Sequence, residues 1–208
     1  MAEPEPRGRL IVIAAPSGAG KTTLVHALIR RNPDFVFSVS YTTRPKRPNE
    51  EHGRDYFFVS EEEFRRLQQT GEFLESARVF DNYYGTSRSQ VESELKQGRN
   101  VVLEIDWQGA RQVRAAMPEC RSIFILPPSV EALEERLRSR RTDSEAVIRR
   151  RLRDSLSDLS HWDEFDYVVI NDDLERAIDE LEGIATGRYR RNRVGAEATR
   201  KKLAHLLV

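Results

Sequence analysis

The stretch that decides the fold is residues 15–23, which read APSGAGKTT and directly follow the apolar run LIVIA at residues 10–14. The apolar run predicts a buried strand, and Gly-Lys-Thr predicts the start of a helix. Gly18 and Gly20 lie where the strand gives way to the helix, and a glycine-rich backbone there can point successive N–H groups at one phosphate. A turn that only connects strand to helix is the alternative, but the order strand, loop, Gly-Lys-Thr and helix favours a phosphate-binding loop.

Two side chains of this loop have chemical roles in such a pattern. Lys21 is expected to lie along the β- and γ-phosphates of a nucleoside triphosphate, and the Thr22 hydroxyl is expected to bind Mg²⁺. The general pattern G-x-x-x-x-G-K-[ST] begins with glycine, where this chain has Ala15. We expect alanine to be tolerated there, because the backbone approaches phosphate most closely at Gly20.

Charge and composition exclude several classes of protein. The chain has 208 residues, and its 34 basic side chains cancel its 34 acidic ones, so no global charge attracts it to nucleic acid or membrane. No apolar run approaches the roughly 18 residues of a transmembrane helix, and the N-terminal residues lack the apolar core of a signal peptide. Cys120 is the only cysteine, which excludes an internal disulfide, and the four histidines show no metal-ligand spacing. We expect a cytoplasmic single-domain protein with small-molecule partners, preceded by a disordered leader at residues 1–8.

Short apolar runs alternate with helical patterns along most of the chain. Four runs are typical of strands buried on both faces: RLIVIAA (9–15), VVLEID (101–106), SIFIL (122–126) and YVVIN (167–171). Helix starts follow most of them, and Ser129 is the predicted cap after the third. This alternation predicts an α/β fold in which helices flank a parallel sheet.

The helix after the fourth run has its own start signal. Asp172 is predicted to cap it, with Glu175 reaching back to the cap. Its apolar face is predicted to contain Leu174, Ala177, Ile178 and Leu181.

Residues 38–90 interrupt the alternation and predict an inserted subdomain. They begin with a Pro- and Arg-rich loop that ends in an aromatic strand, SVSYTTRPKRPNEEHGRDYFFV. Ser60 and Glu63 then form a predicted capping box for a helix that begins at residue 61.

The loop of this subdomain contains a candidate anion site. Arg44 and Arg47 are three residues apart around a proline, so their planar guanidinium groups can converge on one phosphate. Tyr56 and Tyr84 are candidates for hydroxyl contacts with the same phosphate. A single loop arginine is usually only solvated and a single tyrosine usually belongs to the core, but the combination favours an anion site.

Carboxylates occur at two informative places. Glu75 alternates with Phe73 and Ala77, so we expect it on a strand face with apolar neighbours, either solvated at an edge or held to accept hydrogen bonds from a ligand. Guanine offers such a carboxylate two adjacent donors, N1–H and N2–H₂, and adenine does not. Glu104 and Asp106 end a predicted parallel strand, where ligands bind in doubly wound sheets, and could contact a base or Mg²⁺.

Taken together, these motifs resemble the guanylate kinase family of the bacterial type. The segments that match, in order and at matching spacing over residues 9–190, are APSGAGKTT, SVSYTTRPKRPNEEHGRDYFFV, FLESARVFDNYYGTS, EIDWQGA, IFILPPS, RRTDSEAVIRRRL and FDYVVINDD. The resemblance implies Mg²⁺-dependent transfer of the ATP γ-phosphoryl group to GMP or dGMP. It also implies a core (9–37, 88–135 and 155–190), a GMP-binding subdomain (38–87), a lid (136–154) and a basic tail (188–208).

The family's site residues carry over to the matching positions of this sequence. Those implied to bind ATP form the whole phosphate loop: Ala15, Pro16, Ser17, Gly18, Ala19, Gly20, Lys21, Thr22 and Thr23, with Mg²⁺ at Thr22. The residues implied for the GMP phosphate are Ser40, Arg44, Arg47, Tyr56 and Tyr84, and those near guanine are Glu75, Thr86, Glu104 and Asp106. Those implied to act on the transferring phosphate are Lys21, Arg44, Arg136, Arg140 and Arg151.

Three positions depart from the family's pattern. Thr86 stands where some members have serine, which keeps the hydroxyl. Glu104 replaces a commoner aspartate and is one methylene longer, which leaves its contact open. Arg141 stands where the lid usually has glycine, which changes the backbone requirement of that turn and adds a charge.

Other interpretations stay open at this point. Guanylate-kinase-like domains of scaffold proteins bind partners without catalysis, although their phosphate sites are expected to be degraded and Gly20-Lys21-Thr22 is intact here. A related kinase could use another acceptor, such as a ribose bisphosphate. The arginine-rich segment 136–153 is either a mobile lid or a salt-bridged helical surface. The basic C-terminal segment is expected to be a solvated helix face or tail rather than a nucleic-acid site.

Overall fold

The structure, a computed structural model, describes residues 8–79, 81–139, 145–189 and 192–204. Residues 1–7 of the predicted leader, and Arg140 and Arg141 of the predicted lid, lie outside these ranges. The described strands are β1 (Leu10–Ala14), β2 (Phe35–Phe37), β3 (Tyr41–Thr42), β4 (Phe57–Phe58), β5 (Phe73–Val79), β6 (Asn82–Ser87), β7 (Asn100–Glu104), β8 (Arg121–Leu126) and β9 (Tyr167–Ile170).

The described helices lie between and after these strands. They are α1 (Lys21–Arg31), α2 (Glu61–Gln69), α3 (Arg88–Lys96), α4 (Trp107–Ala116), α5 (Val130–Ser139), α6 (Glu145–Leu159), α7 (Leu174–Ala185) and α8 (Glu197–Ala204). Within the described ranges, none of these helices combines the length and apolarity that a membrane span requires.

The chain divides into two compact units. As far as they are described, residues 8–12 and 33–120 form the first unit, and residues 13–32 and 121–204 form the second. Strand β1 begins in the first unit and ends in the second, and the sheet through it has the order β2-β7-β1-β8-β9. Strand β2 pairs with β7, and β8 with β9, both in parallel. All of β1 is buried, as expected for a strand covered on both faces, and the predicted parallel sheet with flanking helices is confirmed.

A second sheet, in the first unit, has the order β4-β3-β6-β5. Phe64 on α2 is fully buried against it, with its ring centroid 4.5 Å from that of Phe73 and 5.6 Å from that of Tyr83. This aromatic cluster anchors α2 to the sheet, because large rings contribute much of the apolar area that a small subdomain can bury.

Helix α2 begins where the sequence predicts. The Ser60 hydroxyl accepts the backbone N–H of Glu63 at 3.1 Å, which satisfies one of the unpaired donors of the first turn. The Glu63 carboxylate, by contrast, pairs with Arg66 at 2.7 Å, so the second half of the predicted capping box is replaced by an ion pair.

The start of α7 in the second unit differs from the prediction. Asp173, not Asp172, is the cap, because its carboxylate accepts the backbone N–H of Arg176 at 2.9 Å. Asp172 instead accepts the N–H of Asp173 at 2.8 Å and pairs with the Arg176 side chain. Glu175 does not reach back to the cap, since it pairs with Arg31 of α1 at 2.6 Å.

The apolar face of α7 is otherwise as predicted, with one exception. Ala177, Ile178 and Leu181 are buried, whereas Leu174 is 45% exposed. The predicted cap of α5 is confirmed, because the Ser129 hydroxyl accepts the backbone N–H of Ala132 at 3.1 Å.

Part of the basic C-terminal segment is attached to the edge of β9. The backbone N–H of Val168 donates to the Asn192 carbonyl at 3.0 Å, and that of Val194 donates to the Asp166 carbonyl at 3.1 Å. These bonds use backbone groups that an edge strand would otherwise leave unpaired. The segment therefore belongs to the packed second unit up to this point.

Candidate active site

The phosphate-binding loop connects β1 to α1 within the second unit. Gly20 is the residue before the helix and has φ 94°, and Gly18 has φ 91°. Both values lie in the left-handed region, where a side chain is strained. The loop closes with a bond of 3.2 Å from the Ala19 N–H to the Pro16 carbonyl. The two glycines of the sequence motif are thus required by the backbone path that leads into α1.

The carbonyl of Ala19 is held from outside the loop. Asn171, which is 6% exposed at the end of β9, donates from Nδ2 to this carbonyl at 2.8 Å. Arg136 of α5 donates to the same carbonyl at 3.3 Å and to the Asn171 carbonyl at 3.0 Å. The Ala19 carbonyl and the Gly20 N–H belong to one planar peptide group and point in opposite directions. Fixing the Ala19 carbonyl therefore also fixes the direction of the Gly20 N–H.

Asn171 also explains why Gly20 has no side chain. A Cβ built on Gly20 would lie 2.3 Å from Asn171 Nδ2. Gly20 is therefore needed for space as well as for its positive φ.

The arginines predicted to act on the transferring phosphate are placed differently from one another. Arg136 lies on α5 and braces the loop as described, and Arg151 lies on α6. Arg138, between them, pairs with Glu134 at 2.9 Å and with Glu145 at 2.6 Å, so a salt-bridged helical surface describes that part of the segment. Arg140, another of the arginines predicted for the lid, lies outside the described residues.

An open pocket of roughly 400 Å³ lies beside the loop, all within the second unit. Its lining combines loop backbone, polar side chains and one exposed apolar side chain: Gly18, Gly20, Thr23, Arg136, Asn171, Asp172 and Leu174. The exposure of Leu174, which the sequence did not predict, thus occurs at the wall of a pocket. A pocket of mixed apolar and hydrogen-bonding character is typical of small-molecule sites.

Ser17, predicted as part of the ATP site, makes a contact outside the loop. It does not line this pocket, whereas Gly18 and Gly20 do. Its carbonyl instead accepts the hydroxyl of Ser155, which is 1% exposed on α6, at 3.2 Å. The structure therefore shows Ser17 as the point where the loop is anchored to α6, and a contact from Ser17 to ATP stays a prediction.

The residues near the loop fit a Mg²⁺ ion that arrives with a nucleotide. Thr22 is exposed in the first turn of α1, where the loop enters the helix. The described part of the chain holds no group of three or more His, Cys, Asp or Glu side chains that could bind a metal by themselves. Mg²⁺ commonly keeps several waters and is held by few protein ligands plus substrate phosphates, so this donor set is sufficient.

The candidate anion site of the first unit contains an unpredicted carboxylate. Both terminal guanidinium nitrogens of Arg44 donate to Glu50, at 2.7 and 3.0 Å, and the backbone N–H of Arg47 donates to Glu50 at 2.8 Å. The Arg44 side chain is 14% exposed, whereas that of Arg47 is 64% exposed. The Arg44 hydrogen bond lowers the pKa of Glu50. The structure therefore brings the two predicted arginines together through a shared carboxylate, with the same bidentate geometry that a phosphate would accept.

The two predicted tyrosines lie beside Arg44. The Arg44 guanidinium carbon is 5.4 Å from the ring centroid of Tyr56, and the Tyr56 and Tyr84 rings meet edge to face at 5.9 Å. Burial, and secondarily the charge of Glu104, raise the pKa of Tyr56 to about 12. The Tyr56 hydroxyl is therefore protonated, and able to donate a hydrogen bond, throughout the physiological range. Ser40, also predicted at the phosphate, is 8% exposed.

Glu75 is buried rather than solvated at an edge. It is 3% exposed, and its Oε1 accepts the Thr86 hydroxyl at 2.7 Å, with Thr86 fully buried. The two residues oppose each other across β5 and β6, and a register shift between Phe73 and Glu75 interrupts the simple alternation that the sequence pattern assumed. Bulges of this kind re-aim side chains beside functional sites. The alternative of a solvated edge carboxylate is thus wrong.

The two members of the acidic pair at the end of β7 are placed differently. Glu104 is the last residue of β7, whereas Asp106 is the cap of α4 and accepts the Gly109 N–H at 2.8 Å. The Gln108 amide donates to the other Asp106 oxygen at 3.2 Å. The cap orients Asp106, and a contact from either carboxylate to guanine stays a prediction.

Two residues of these sites, Glu50 and Asn171, were missed by sequence reasoning, as was the buried hydroxyl of Ser38 at a strand end. Glu50 follows Arg47 by three residues in one loop, and that spacing of opposite charges was an available signal. Asn171 and Ser38 each directly follow a predicted or observed parallel strand, at the end where such sheets bind ligands. Ser38 is 5% exposed, and its hydroxyl has no hydrogen-bond partner within the described ranges.

Comparison with known proteins agrees with the sequence motifs. A family model described as guanylate kinase matches residues 7–186. The guanylate kinase of Methylococcus capsulatus is 58% identical over 178 residues, which cover 86% of this chain and 87% of that protein. The guanylate kinase of Chromohalobacter salexigens is 54% identical over 196 residues, which cover 94% of this chain and 91% of that protein. A crystal structure of guanylate kinase from Anaplasma phagocytophilum matches with a TM-score of 0.74 at 35% identity, over 90% of each chain.

Proposed function

The chain belongs to the guanylate kinase family, and on this premise we propose that it transfers the γ-phosphoryl group of ATP to GMP or dGMP, giving ADP and the nucleoside diphosphate. A non-catalytic binding module and a kinase for another acceptor are not favoured, because the relatives are named for this activity and the phosphate loop is intact. The neutral net charge supports small-molecule partners rather than nucleic acid or membrane.

The observation that carries the proposal is the buried carboxylate of Glu75 beside the Thr86 hydroxyl, 2.7 Å away. A carboxylate has about four lone-pair positions, so it can accept from Thr86 and also from the N1–H and N2–H₂ donors of guanine. Adenine offers no such pair of donors and would forgo the hydrogen bonds that guanine makes, and an unmade buried hydrogen bond costs about 1–3 kcal/mol. Glu75 therefore favours guanine over adenine, and Thr86 holds it in place.

The acceptor phosphate is assigned to Arg44, Arg47, Tyr56, Tyr84 and Ser40. The second pKa of a phosphate monoester is about 6, so the GMP phosphate is mostly dianionic near neutral pH and its oxygen is already a nucleophile. No general base is required. What the reaction needs is alignment of two highly charged phosphates and neutralisation of the charge on the transferring group.

The donor nucleotide is assigned to the phosphate loop and the pocket beside it. Lys21 and the loop N–H groups bind the phosphates, Thr22 holds Mg²⁺, and the pocket next to Asn171 receives the nucleoside portion. Mg²⁺ held at Thr22 would supply neutralisation of the phosphate charge. Arg136, Arg140 and Arg151 stay our candidates for contacts with the transferring group, where loss of one arginine can cost on the order of 10³-fold in rate.

The test is ADP production from MgATP with GMP, dGMP, AMP, UMP and ribose bisphosphate offered one at a time. Lys21→Ala, which removes the ammonium from the phosphate loop, is the blank, and its thermal unfolding curve shows whether the fold is kept. We expect turnover with GMP and dGMP alone, and none in the variant. Turnover with a different acceptor would reject the assignment of Glu75, and absence of turnover with all of them would reject the kinase.

A further inference from the structure

Gly109 lies in the first turn of α4, against the buried carboxylate of Glu75. A Cβ built on Gly109 would be 2.5 Å from Glu75 Oε2 and 3.1 Å from Glu75 Cδ, and side chains essentially never show a Cβ contact below 3.0 Å. The same Cβ would be 3.3 Å from Asp106 Oδ1. Any side chain at this position would therefore move one or both carboxylates.

The backbone gives no other reason for glycine here. Gly109 is not among the residues of positive φ, and it lies inside a regular helix. Alanine is the better helix former at such a position, since glycine is among the least favourable residues in a helix interior. The lack of a side chain is thus explained by the space that Glu75 occupies.

The strand that carries Glu75 cannot easily withdraw from the helix. Ser76, the next residue, donates its backbone N–H to Gln112 Oε1 at 3.1 Å and accepts from Gln112 Nε2 at 2.9 Å. Gln112 lies three residues after Gly109 on the same helix, so β5 is fixed to α4 at the point of contact. A new Cβ would displace the Glu75 side chain before it displaced the strand.

We propose that Gly109 is a specificity-determining residue, because its lack of a side chain lets the Glu75 carboxylate lie between Thr86 and the first turn of α4, where it selects guanine. The helix N-terminus also favours carboxylate charge at this place. This inference rests on the proposed function, since it assigns to Gly109 the placement of the base-selective carboxylate.

The test compares Gly109→Ala with Gly195→Ala. Gly195 has no positive φ, and a Cβ built on it meets nothing within 4 Å, so it is a matched control. Each variant is assayed with GMP and with IMP, which keeps N1–H but lacks the 2-amino group. We expect Gly109→Ala to lower kcat/KM for GMP about tenfold or more and to bring it closer to kcat/KM for IMP. The KM for ATP should stay within about twofold of the wild-type value. Gly195→Ala should change none of these quantities.

A double variant shows whether Gly109 acts through Glu75. If it does, adding Gly109→Ala to Glu75→Ala should cost little further activity, because the colliding carboxylate is gone. The double variant should also fold even if Gly109→Ala alone does not. The inference would be overturned if the activity losses of Gly109→Ala and Glu75→Ala added up in the double variant. It would also be overturned if neither Gly109→Ala nor the double variant folded, or if a folded Gly109→Ala kept the wild-type ratio of kcat/KM for GMP to that for IMP. If wild-type protein does not phosphorylate GMP, both the proposed function and this inference are rejected. If wild type phosphorylates GMP and Gly109→Ala does so equally well, only the inference is rejected.

Discussion

The guanidinium group of Arg44, which we assign to the acceptor phosphate, is already oriented by hydrogen bonds to a carboxylate. Glu50 accepts two hydrogen bonds from its guanidinium group and a third from the backbone of Arg47. A planar fork that is fixed before its ligand arrives loses less side-chain entropy on binding. Glu50 is therefore a positioning residue for Arg44.

This arrangement predicts how stability depends on pH. The hydrogen bond from Arg44 lowers the pKa of Glu50 in the folded state below its ordinary value of about 4.3. The folded state thus releases the proton more readily, so the stabilisation is fully present above about pH 4.3 and is lost as the pH falls through the folded pKa. We expect Glu50→Gln to be less stable than wild type by about 1–3 kcal/mol at neutral pH, and the difference to vanish in acid.

Denaturant unfolding at a series of pH values measures this difference. Glu51→Gln is the control, because Glu51 is 68% exposed and pairs with Arg54 at the surface, where an ion pair contributes at most about 1 kcal/mol. If the difference in free energy of unfolding between Glu50→Gln and wild type did not change with pH, the stabilising role of the Arg44–Glu50 pair would be contradicted.

At the scale of elements, the phosphate loop depends on a strand distant in sequence. Asn171 follows β9, and its amide bonds to Ala19 across 152 positions of the chain. The loop is thus held in shape by hydrogen bonds from Asn171 and Arg136 in addition to its own glycines. A braced loop presents its N–H groups to phosphate with little rearrangement, which is the condition for strong electrostatic stabilisation.

Removing the brace should weaken ATP binding selectively. We expect Asn171→Ala to destabilise the fold by about 1–3 kcal/mol and to raise KM for ATP more than KM for GMP, because the Ala19 carbonyl loses its buried donor. Asn192→Ala is the matched control, since Asn192 also donates to a backbone carbonyl of the second unit, that of Val168 at 3.1 Å. Asn192→Ala should lose stability without a change in KM for ATP. If both variants raised KM for ATP equally, the role assigned to Asn171 would be wrong.

The sequence predicted elements whose signals are local and missed contacts whose causes are distant. The caps at Ser60 and Ser129 were found because each needs only its own turn. The prediction of Asp172 as the cap was wrong because the neighbouring Asp173 gives the same local signal, and the result depends on how Arg176 pairs. Glu75 was recognised as important, but its burial depends on a bulge and on α4, neither of which alternation can predict.

The phosphate loop shows the same division between local and distant causes. Its glycines were predicted because positive φ and close approach are properties of the loop itself. The anchoring of Ser17 by Ser155 was not predicted, because the two residues are 138 positions apart and their contact depends on how α6 packs.

At the scale of the whole molecule, the residues assigned to the two substrates belong to different units. Residues 15–23, with Asn171 and Arg136, lie in the second unit, and the residues assigned to GMP, from 40 to 106, lie in the first. Each unit contains the polar contacts that orient its own assigned side chains. Each substrate should therefore bind when the other is absent.

Thermal unfolding with single ligands tests this separation. A ligand at 100 times its Kd stabilises the native state by about 2.7 kcal/mol, which for a chain of this size raises Tm by several degrees. We expect ADP and GMP each to raise the Tm of wild type, Lys21→Ala to lose most of the shift with ADP but keep that with GMP, and Glu75→Gln to show the reverse. Lys21 and Glu75 lie in different units. If either variant lost the Tm shifts with both ADP and GMP, binding of one ligand would require the other site, and the assignment of independent sites would be wrong.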